Sequence, residues 1–370
     1  MKISTIFQTN FPFVPSRFPV FYGWVIVVVT TLGIMSSIPG QTVGVGVYTD
    51  FLIQSSHLSR MQISMAYMTG TILSSLLLPL AGRYYDLLGA RIMIVFAGIG
   101  LGFSLLLFSE ASTLIQLLQS IFPELSSLSS ELFVMTVIFM LLRQFGQGIM
   151  AMVSRNTLAK WFERRRGIVS GISGIFVAFS FSGAPLFMNI IIEDYDYSGS
   201  MVIMALILGF GMAFIGWLFF RDNPEDCGLL MDGKKISPVE TTNPNTEPEV
   251  TLKEALRTYN FWIFCLGLCS GSLIVTGFTF HISSIGALAG LSRMEAYELF
   301  LPMAVISVIS HIVAGWASDR MPLKYLLMVL LVGLTVGSLG ILNLESFWYR
   351  LMLVAGFGVQ GGVWGCLTVV

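Results

Sequence analysis

Charge is what this sequence most lacks. Only 11% of its 370 residues are Asp, Glu, Lys or Arg, where a soluble domain carries about 25%. So sparse a set cannot cover the surface of a water-soluble protein of this size. The few charges nearly cancel, leaving a net charge of −1, which removes nucleic acid from the candidate partners. Histidine is scarce too. His57, His281 and His311 are the only three, and none stands in a metal-ligand or nucleophile motif, so neither an enzymatic centre nor a cofactor is expected. The four cysteines (Cys227, Cys265, Cys269 and Cys366) fall in a loop or in apolar runs, without a disulfide framework or a metal-ligand spacing. The N-terminal "ISTIFQTNFPFVPSRF" has no continuous apolar stretch, so it reads as a short tail ahead of the first span and not as a signal peptide.

Long apolar runs are what the chain has instead. Its residues are 55% hydrophobic and its mean hydropathy is +0.81. Runs near or beyond ~18–20 residues recur, the length that crosses a bilayer as a helix. They predict an all-α polytopic membrane protein with ten spans, at about 21–43, 62–82, 91–109, 132–154, 167–192, 199–220, 259–281, 296–316, 323–343 and 347–370. The last run reaches the final residue with no polar flank, so the chain is expected to stop inside or at the end of a helix.

The basic residues orient these spans. With a cytoplasmic N-terminus, sixteen of the 20 Lys and Arg fall on the inside. Arg60, Arg293 and Arg350 alone fall outside, while Arg143 lies within a span. This is a positive-inside distribution. The outer loops are acidic, as in "EDYDYS" at 193–198. Phe11, Phe13, Phe18, Phe21, Tyr22 and Trp24 read as an interfacial aromatic belt.

Two segments between spans are longer than turns. "STLIQLLQSIFPELSSL", with Leu114, Leu117, Leu118 and Ile121 recurring at helical spacing, fits an amphipathic helix on the outer membrane surface or a partly ordered loop. Residues 221–258 are polar and rich in Pro, Asn, Thr and Glu, and read as a linker. They divide the chain into 1–220, with six spans, and 259–370, with four. Thr251 and Glu254 stand at capping-box spacing, so a short helix is expected just before the seventh span.

An internal repeat joins the two parts. "GRYYDLLGAR" (82–91) carries three charges between apolar runs, and "GWASDRMPLK" (315–324) matches it. Gly82 to Asp86 is four residues, as is Gly315 to Asp319. Gly82 to Arg91 is nine, as is Gly315 to Lys324. Each copy joins the second and third spans of its half, the pattern of a transporter built from parallel repeats.

Gly82, Asp86, Gly89 and Arg91 match the loop signature of the major facilitator superfamily, which this chain resembles over essentially its whole length. The second copy has Pro322 in place of the later glycine. The resemblance implies two six-helix halves, of which about ten helices are present here, with a substrate site near the membrane midplane. "FYGWVIV", "PGQTVGVGVY", "KWFERRRG" and "RDNPEDCGLL" are further similar to the oxalate/formate antiporter and monocarboxylate porter branch. That implies a small organic anion as substrate, a proton or counter-anion as co-substrate, a monomer, and a bacterial inner membrane as location. A sensor or accessory membrane protein of the same fold remains the other class.

Arg143 in "MLLRQFGQG" is the strongest substrate candidate, because a guanidinium at bilayer depth is costly unless it meets a wet cavity or a partner, and its fork fits a carboxylate. The structural alternative is hydrogen bonding to neighbouring helices. Gly146 and Gly148 would admit a close helix beside it. His311 stands where the resembled branch carries a substrate-pairing arginine. It binds an anion only when protonated, or else serves as a neutral packing histidine. Gln41, Thr42 and Trp364 complete the expected contacts by resemblance. Asn189, Thr279, His281 and Gln360 read as helix–helix hydrogen bonders. No Asp or Glu lies near the middle of a span, and Ser307 occupies the position where monocarboxylate porters carry an acid, so proton coupling would run through His311, the substrate or further helices.

By resemblance, Gly82, Asp86, Gly89 and Arg91, with Gly315, Asp319, Arg320 and Lys324, form the cytoplasmic gate; otherwise they anchor tight loops. The cations of "KWFERRRG" join that network or meet anionic lipid headgroups. "GIVSGISG" (Gly167, Gly171, Gly174) predicts a close-packing seam.

Overall fold

Elements of this chain form because an apolar backbone in lipid must satisfy its own N–H and C=O groups, and a helix does so within one segment. The computed structural model describes residues 7–55, 58–124, 126–163, 165–233, 252–318 and 320–368, and those residues contain no strand. Nine helical elements among them are long and apolar enough to cross a membrane. One of these, Arg166–Phe219, runs 54 residues, more than twice the ~20 that a crossing needs. Its backbone leaves helical geometry at Asp196, with φ 58° and ψ 174°, inside the acidic "EDYDYS". This element therefore supplies both the fifth and the sixth expected spans.

The chain forms two compact units, Met1–Gly233 and Lys234–Val370. In the first, α1 (Gly23–Ser36) and α2 (Thr42–Ser55) make one interrupted span, followed by α3 (Arg60–Leu88), α4 (Ala90–Ser109) and a short α5 (Ala111–Ile121). Then come α6 (Ser127–Leu142), a π-helical segment (Arg143–Met150), α7 (Ala151–Trp161), α8 (Arg166–Met204), a second π-helical segment (Ala205–Phe210) and α9 (Gly211–Phe219). The second unit holds α10 (Leu252–Ala255), α11 (Tyr259–Leu288), α12 (Arg293–Glu298), α13 (Phe300–Ser318), α14 (Leu323–Gly340) and α15 (Phe347–Leu367). The first unit thus takes in 221–233, the start of the expected linker. Thr251 lies outside the described residues, and the short helix ahead of the seventh span is α10.

Sequence chemistry sets the local boundaries. Ser59 and Gln62 form a capping box at the start of α3, and Ser292 and Glu295 form another at α12, each satisfying backbone donors that a helix start leaves open. Gly89 ends α3 and opens α4 with φ 82°, a backbone conformation that glycine adopts without steric cost.

Packing runs in the sense that lipid demands. On α3 the exposed side chains include Met61, Met65, Met68, Ile72, Leu76 and Leu80, at helical spacing. Its buried face is smaller and more polar, with Ala66, Tyr67, Gly70, Ser74 and Ala81. Small residues let backbones approach where lipid gives no hydrophobic drive for helix association. A Cβ on Gly98 of α4 would lie 2.8 Å from Gly209 O, and one on Gly333 of α14 would lie 2.9 Å from Gly356 O of α15. Two glycines of the seam expected at "GIVSGISG" have no such neighbour among the described residues. A Cβ on Gly167 or Gly171 meets nothing within 4 Å.

Candidate functional site

The first unit gathers its candidate residues where two spans lose α-helical geometry. Between α1 and α2 the first span passes through a 3-10 turn, Ile38–Gly40, and Gln41 is extended (φ −88°, ψ 160°). Pro39 and Gly40 lie in that turn, and proline cannot continue the hydrogen-bond ladder of a helix interior. In the fourth span the backbone switches to π-helix at Arg143, a geometry concentrated at functional positions. The two irregular stretches touch. A Cβ on Gly146 would lie 2.9 Å from Gly40 Cα, so both positions must stay glycine for this approach. The close contact expected at Gly146 is therefore with the break in the first span.

Side chains converge on this junction. Thr42 Oγ1 and Tyr67 Oη share a hydrogen bond of 2.9 Å. The Arg143 guanidinium carbon stands 5.3 Å from the centre of the Tyr67 ring, in range of a cation–π interaction. Gln41 Nε2 donates to Ser37 Oγ at 3.0 Å. Ser74 Oγ donates to Gln144 Oε1 at 2.9 Å. Two polar atoms stay unsatisfied: Arg143 Nη1 and Gln147 Oε1 are buried without a hydrogen-bond partner among the described residues. Buried polar groups are almost always paired, and an unpaired one marks a ligand, a water or a strained site. Thr42 and Arg143 thus both meet the Tyr67 side chain, while Gln41 bonds Ser37 within the break of the first span. Tyr67 and Gln147 are additions to the expected set. Gln147 had a legible signal, its place four residues after Arg143, whereas Tyr67 is contributed by a helix whose register the sequence does not reveal.

In the second unit His311 lies on α13 and Trp364 on α15, two helices that pack together. His311 Nδ1 lies 3.2 Å from Gly362 O. A carbonyl only accepts, so this bond places the ring proton on Nδ1 and leaves Nε2 as an acceptor in the neutral ring. A Cβ on Gly365 would come within 2.9 Å of His311 Nδ1, so glycine is needed there to admit the ring. Trp364 packs against the buried cluster of Ala314, Ala317, Leu326, Leu330, Val363 and Cys366. Its Nε1 is buried without a partner among the described residues.

The first loop signature is anchored from a distance in sequence. Arg91, 2% exposed, donates Nε to Trp217 O at 2.6 Å, Nη1 to Gln8 O at 2.8 Å and Nη2 to Phe11 O at 2.8 Å. Its backbone N–H donates to Asp222 Oδ1 at 3.0 Å. Asp222 therefore sits at the N-terminus of α4, where a helix dipole and open N–H groups favour a carboxylate. Burial nevertheless pushes the Asp222 carboxyl above its ordinary value, opposed by hydrogen bonds from the backbone N–H groups of Arg91 and Ala90. A Cβ on Gly89 would run into that carboxylate. Arg221, 1% exposed, also donates to Phe11 O, from Nη2 at 3.1 Å, and stacks 4.9 Å from the Phe13 ring. Burial lowers its affinity for a proton below the ordinary guanidinium value.

Two guanidinium groups thus hold one carbonyl of the N-terminal segment. Asp86 is exposed. Gly82 carries open space where a Cβ would stand. Sequence reading did not assign Asp222 and Arg221 a role, although both fall in the quoted "RDNPEDCGLL".

The second signature is built differently. Asp319 lies outside the described residues. Arg320 is exposed, donates Nη1 to Trp316 O at 3.0 Å and stacks 4.4 Å from the Trp316 ring. Lys324 is exposed and lies 5.2 Å from the Tyr325 ring. Gly315, like Gly82, has nothing within 4 Å of a Cβ position.

Comparison with known proteins agrees with this architecture. The family model described as Major Facilitator Superfamily matches residues 14–370. A search of curated sequences finds no match. Among solved structures, a D-xylose-proton symporter superposes with a TM-score of 0.57 at 15% identity, covering 92% of this chain and 81% of that one. A bacterial homolog of the human lysosomal transporter Spinster, inward-facing and unoccupied, gives a TM-score of 0.58 at 16% identity, covering 94% and 75%. At such identities the likeness concerns the fold.

Proposed function

The chain belongs to the major facilitator superfamily of membrane transporters, and on that premise we propose that it carries a small, monocarboxylate-like organic anion by alternating access. The observation that carries this reading is Arg143. Its Nη1 is buried without a hydrogen-bond partner among the described residues, its guanidinium is backed by the Tyr67 ring, and it stands where two irregular spans touch. A cation so placed in a membrane interior is expensive without a counter-charge, and a carboxylate supplies one with matching fork geometry. Gln41 and Thr42 supply neutral polar contacts beside it.

His311 and Trp364 are the second unit's contacts in this reading. The Nδ1 bond to Gly362 O commits one ring donor, so the neutral ring offers an anion only a repelling lone pair. Protonation at Nε2 turns it into a donor. Anion and proton therefore favour each other at this residue, which supports proton-coupled movement without an intramembrane acid. Exchange for a counter-anion is the other coupling. The positive-inside distribution supports a cytoplasmic N-terminus. The exposed Asp86, Arg320 and Lys324, with Gly82 and Gly315, are the gating residues of this reading, while Gly89 and Arg91 position the first loop.

Counterflow of radiolabelled mono- and dicarboxylates in liposomes carrying the purified protein tests the proposal, with an uncharged sugar alongside. Saturable monocarboxylate flux is expected. It should vanish in Arg143→Gln without loss of thermal stability, and vanish or fall severely in His311→Ala. Sugar flux alone would replace the substrate class. No saturable flux of any solute would favour the sensor or accessory reading.

A further inference from the structure

The short helix α5 has no role in the transport reading, yet its surface is organised. At ~100° per residue, Ala111, Leu114, Ile115 and Leu118 form one arc, buried or half-buried, and the helix packs on α6 and touches α4. Ser112, Thr113, Gln116 and Ser120 form an exposed polar arc. A third stripe is apolar and uncovered. Leu117, Ile121 and the following Phe122 are 55%, 59% and 54% exposed. With 11 residues the helix is about 16 Å long, far too short to cross a bilayer.

Its neighbours fix its level. A single residue, Glu110, separates it from α4. Three crossings precede it (Gly23–Thr49, α3 and α4), so it lies at the membrane face opposite the start of the first span. The lipid-facing belt reaches that face, because Leu107 near the end of α4 and Leu128 at the start of α6 are 37% and 42% exposed. The uncovered stripe of α5 continues this belt. Glu110 and Glu124 flank the helix, and residues 111–121 carry no charge, so nothing in it selects anionic headgroups.

We infer that α5 lies in the plane of the membrane interface, with Leu117, Ile121 and Phe122 at the headgroup–acyl boundary and Ser112, Gln116 and Ser120 toward water. The partner is the lipid surface itself, recognised by apolar insertion and not by charge. In this position the helix props the start of α6, the span that leads into Arg143.

Spin labels test the placement. Cysteines are introduced singly at Ser112, Gln116, Leu117 and Ile121 in a protein whose four native cysteines have been replaced, and the labelled proteins are reconstituted in phosphatidylcholine vesicles. Collision with oxygen, which partitions into lipid, is compared with collision with a water-soluble nickel chelate. The oxygen-to-nickel ratio at 117 and 121 should exceed that at 112 and 116 several-fold. Equal ratios at all four positions would mean that the helix stands in water. Low collision with both reagents at 117 and 121 would mean that protein covers the stripe. Either result overturns the inference. Exchanging each cysteine label for a bimane, quenched by brominated lipid, gives a second readout should a spin-labelled variant misfold.

Discussion

The two loop signatures share their spacing and differ in what their residues do. In the first copy, Arg91 is withdrawn from solvent and spends its donors on three carbonyls, while Asp222, distant in sequence, holds the N-terminus of α4. In the second, Arg320 and Lys324 stay exposed, Arg320 leaning on the Trp316 ring of the preceding helix and Lys324 on the ring of the adjacent Tyr325. The repeat therefore shares its residue spacing but not the duty of each charge. The first copy has become an anchor that ties the N-terminal segment, α4 and the end of α9 together. The second keeps its cations available.

The sharpest way to break this contrast is to remove the matched cations. Arg91→Ala leaves the carbonyls of Trp217, Gln8 and Phe11 without that donor. A buried unsatisfied polar group costs about 1–3 kcal/mol, so a loss of about 3 kcal/mol or more is expected, with a large fall in thermal midpoint or in yield of folded protein. Lys324→Ala should leave the midpoint unchanged. Equal midpoints for the two variants would dissolve the distinction.

A middle-sized effect belongs to Asp222. Asp222→Asn keeps a hydrogen-bond acceptor but removes the carboxylate from the helix start. The folded-state value of this carboxyl is raised, so its stabilising contribution is full below the ordinary carboxylate range and is lost as pH rises through the raised value. Asparagine does not titrate. The midpoint of the wild type should therefore exceed that of Asp222→Asn most at low pH, and the gap should narrow as pH increases. A gap that widens over that interval would show that the helix terminus, not burial, governs the group.

Much of this molecule is legible because lipid enforces simple rules. Ten apolar runs, one kink-bearing double span and the paired loops follow from hydropathy, acidic residues and spacing. Arg143 stood out because a mid-span charge is conspicuous against so few. What the sequence hides is register. Tyr67 reaches Arg143 only because α3 turns that face inward, and Asp222 meets Arg91 from 131 positions further along the chain. Gly167 and Gly171, with no neighbour at the Cβ position among the described residues, show the same limit from the other side. Small residues announce that a backbone may come close, but not which one.

The smallest effect tests whether the copies still share one property. Gly82 and Gly315 both lie inside helices, with open space at the Cβ position. In an exposed helix interior, Gly→Ala gains up to about 1 kcal/mol through the unfolded chain's entropy and helix propensity. Gly82→Ala and Gly315→Ala should therefore each raise the thermal midpoint slightly. If these glycines exist to let a neighbour close in at another stage of the transport cycle, the added methyl groups should slow turnover while leaving half-saturation for substrate nearly unchanged. A stabilised protein with wild-type turnover at both positions would show that the loops only fix topology. Slowed turnover at one position alone would extend the asymmetry of the charges to the glycines.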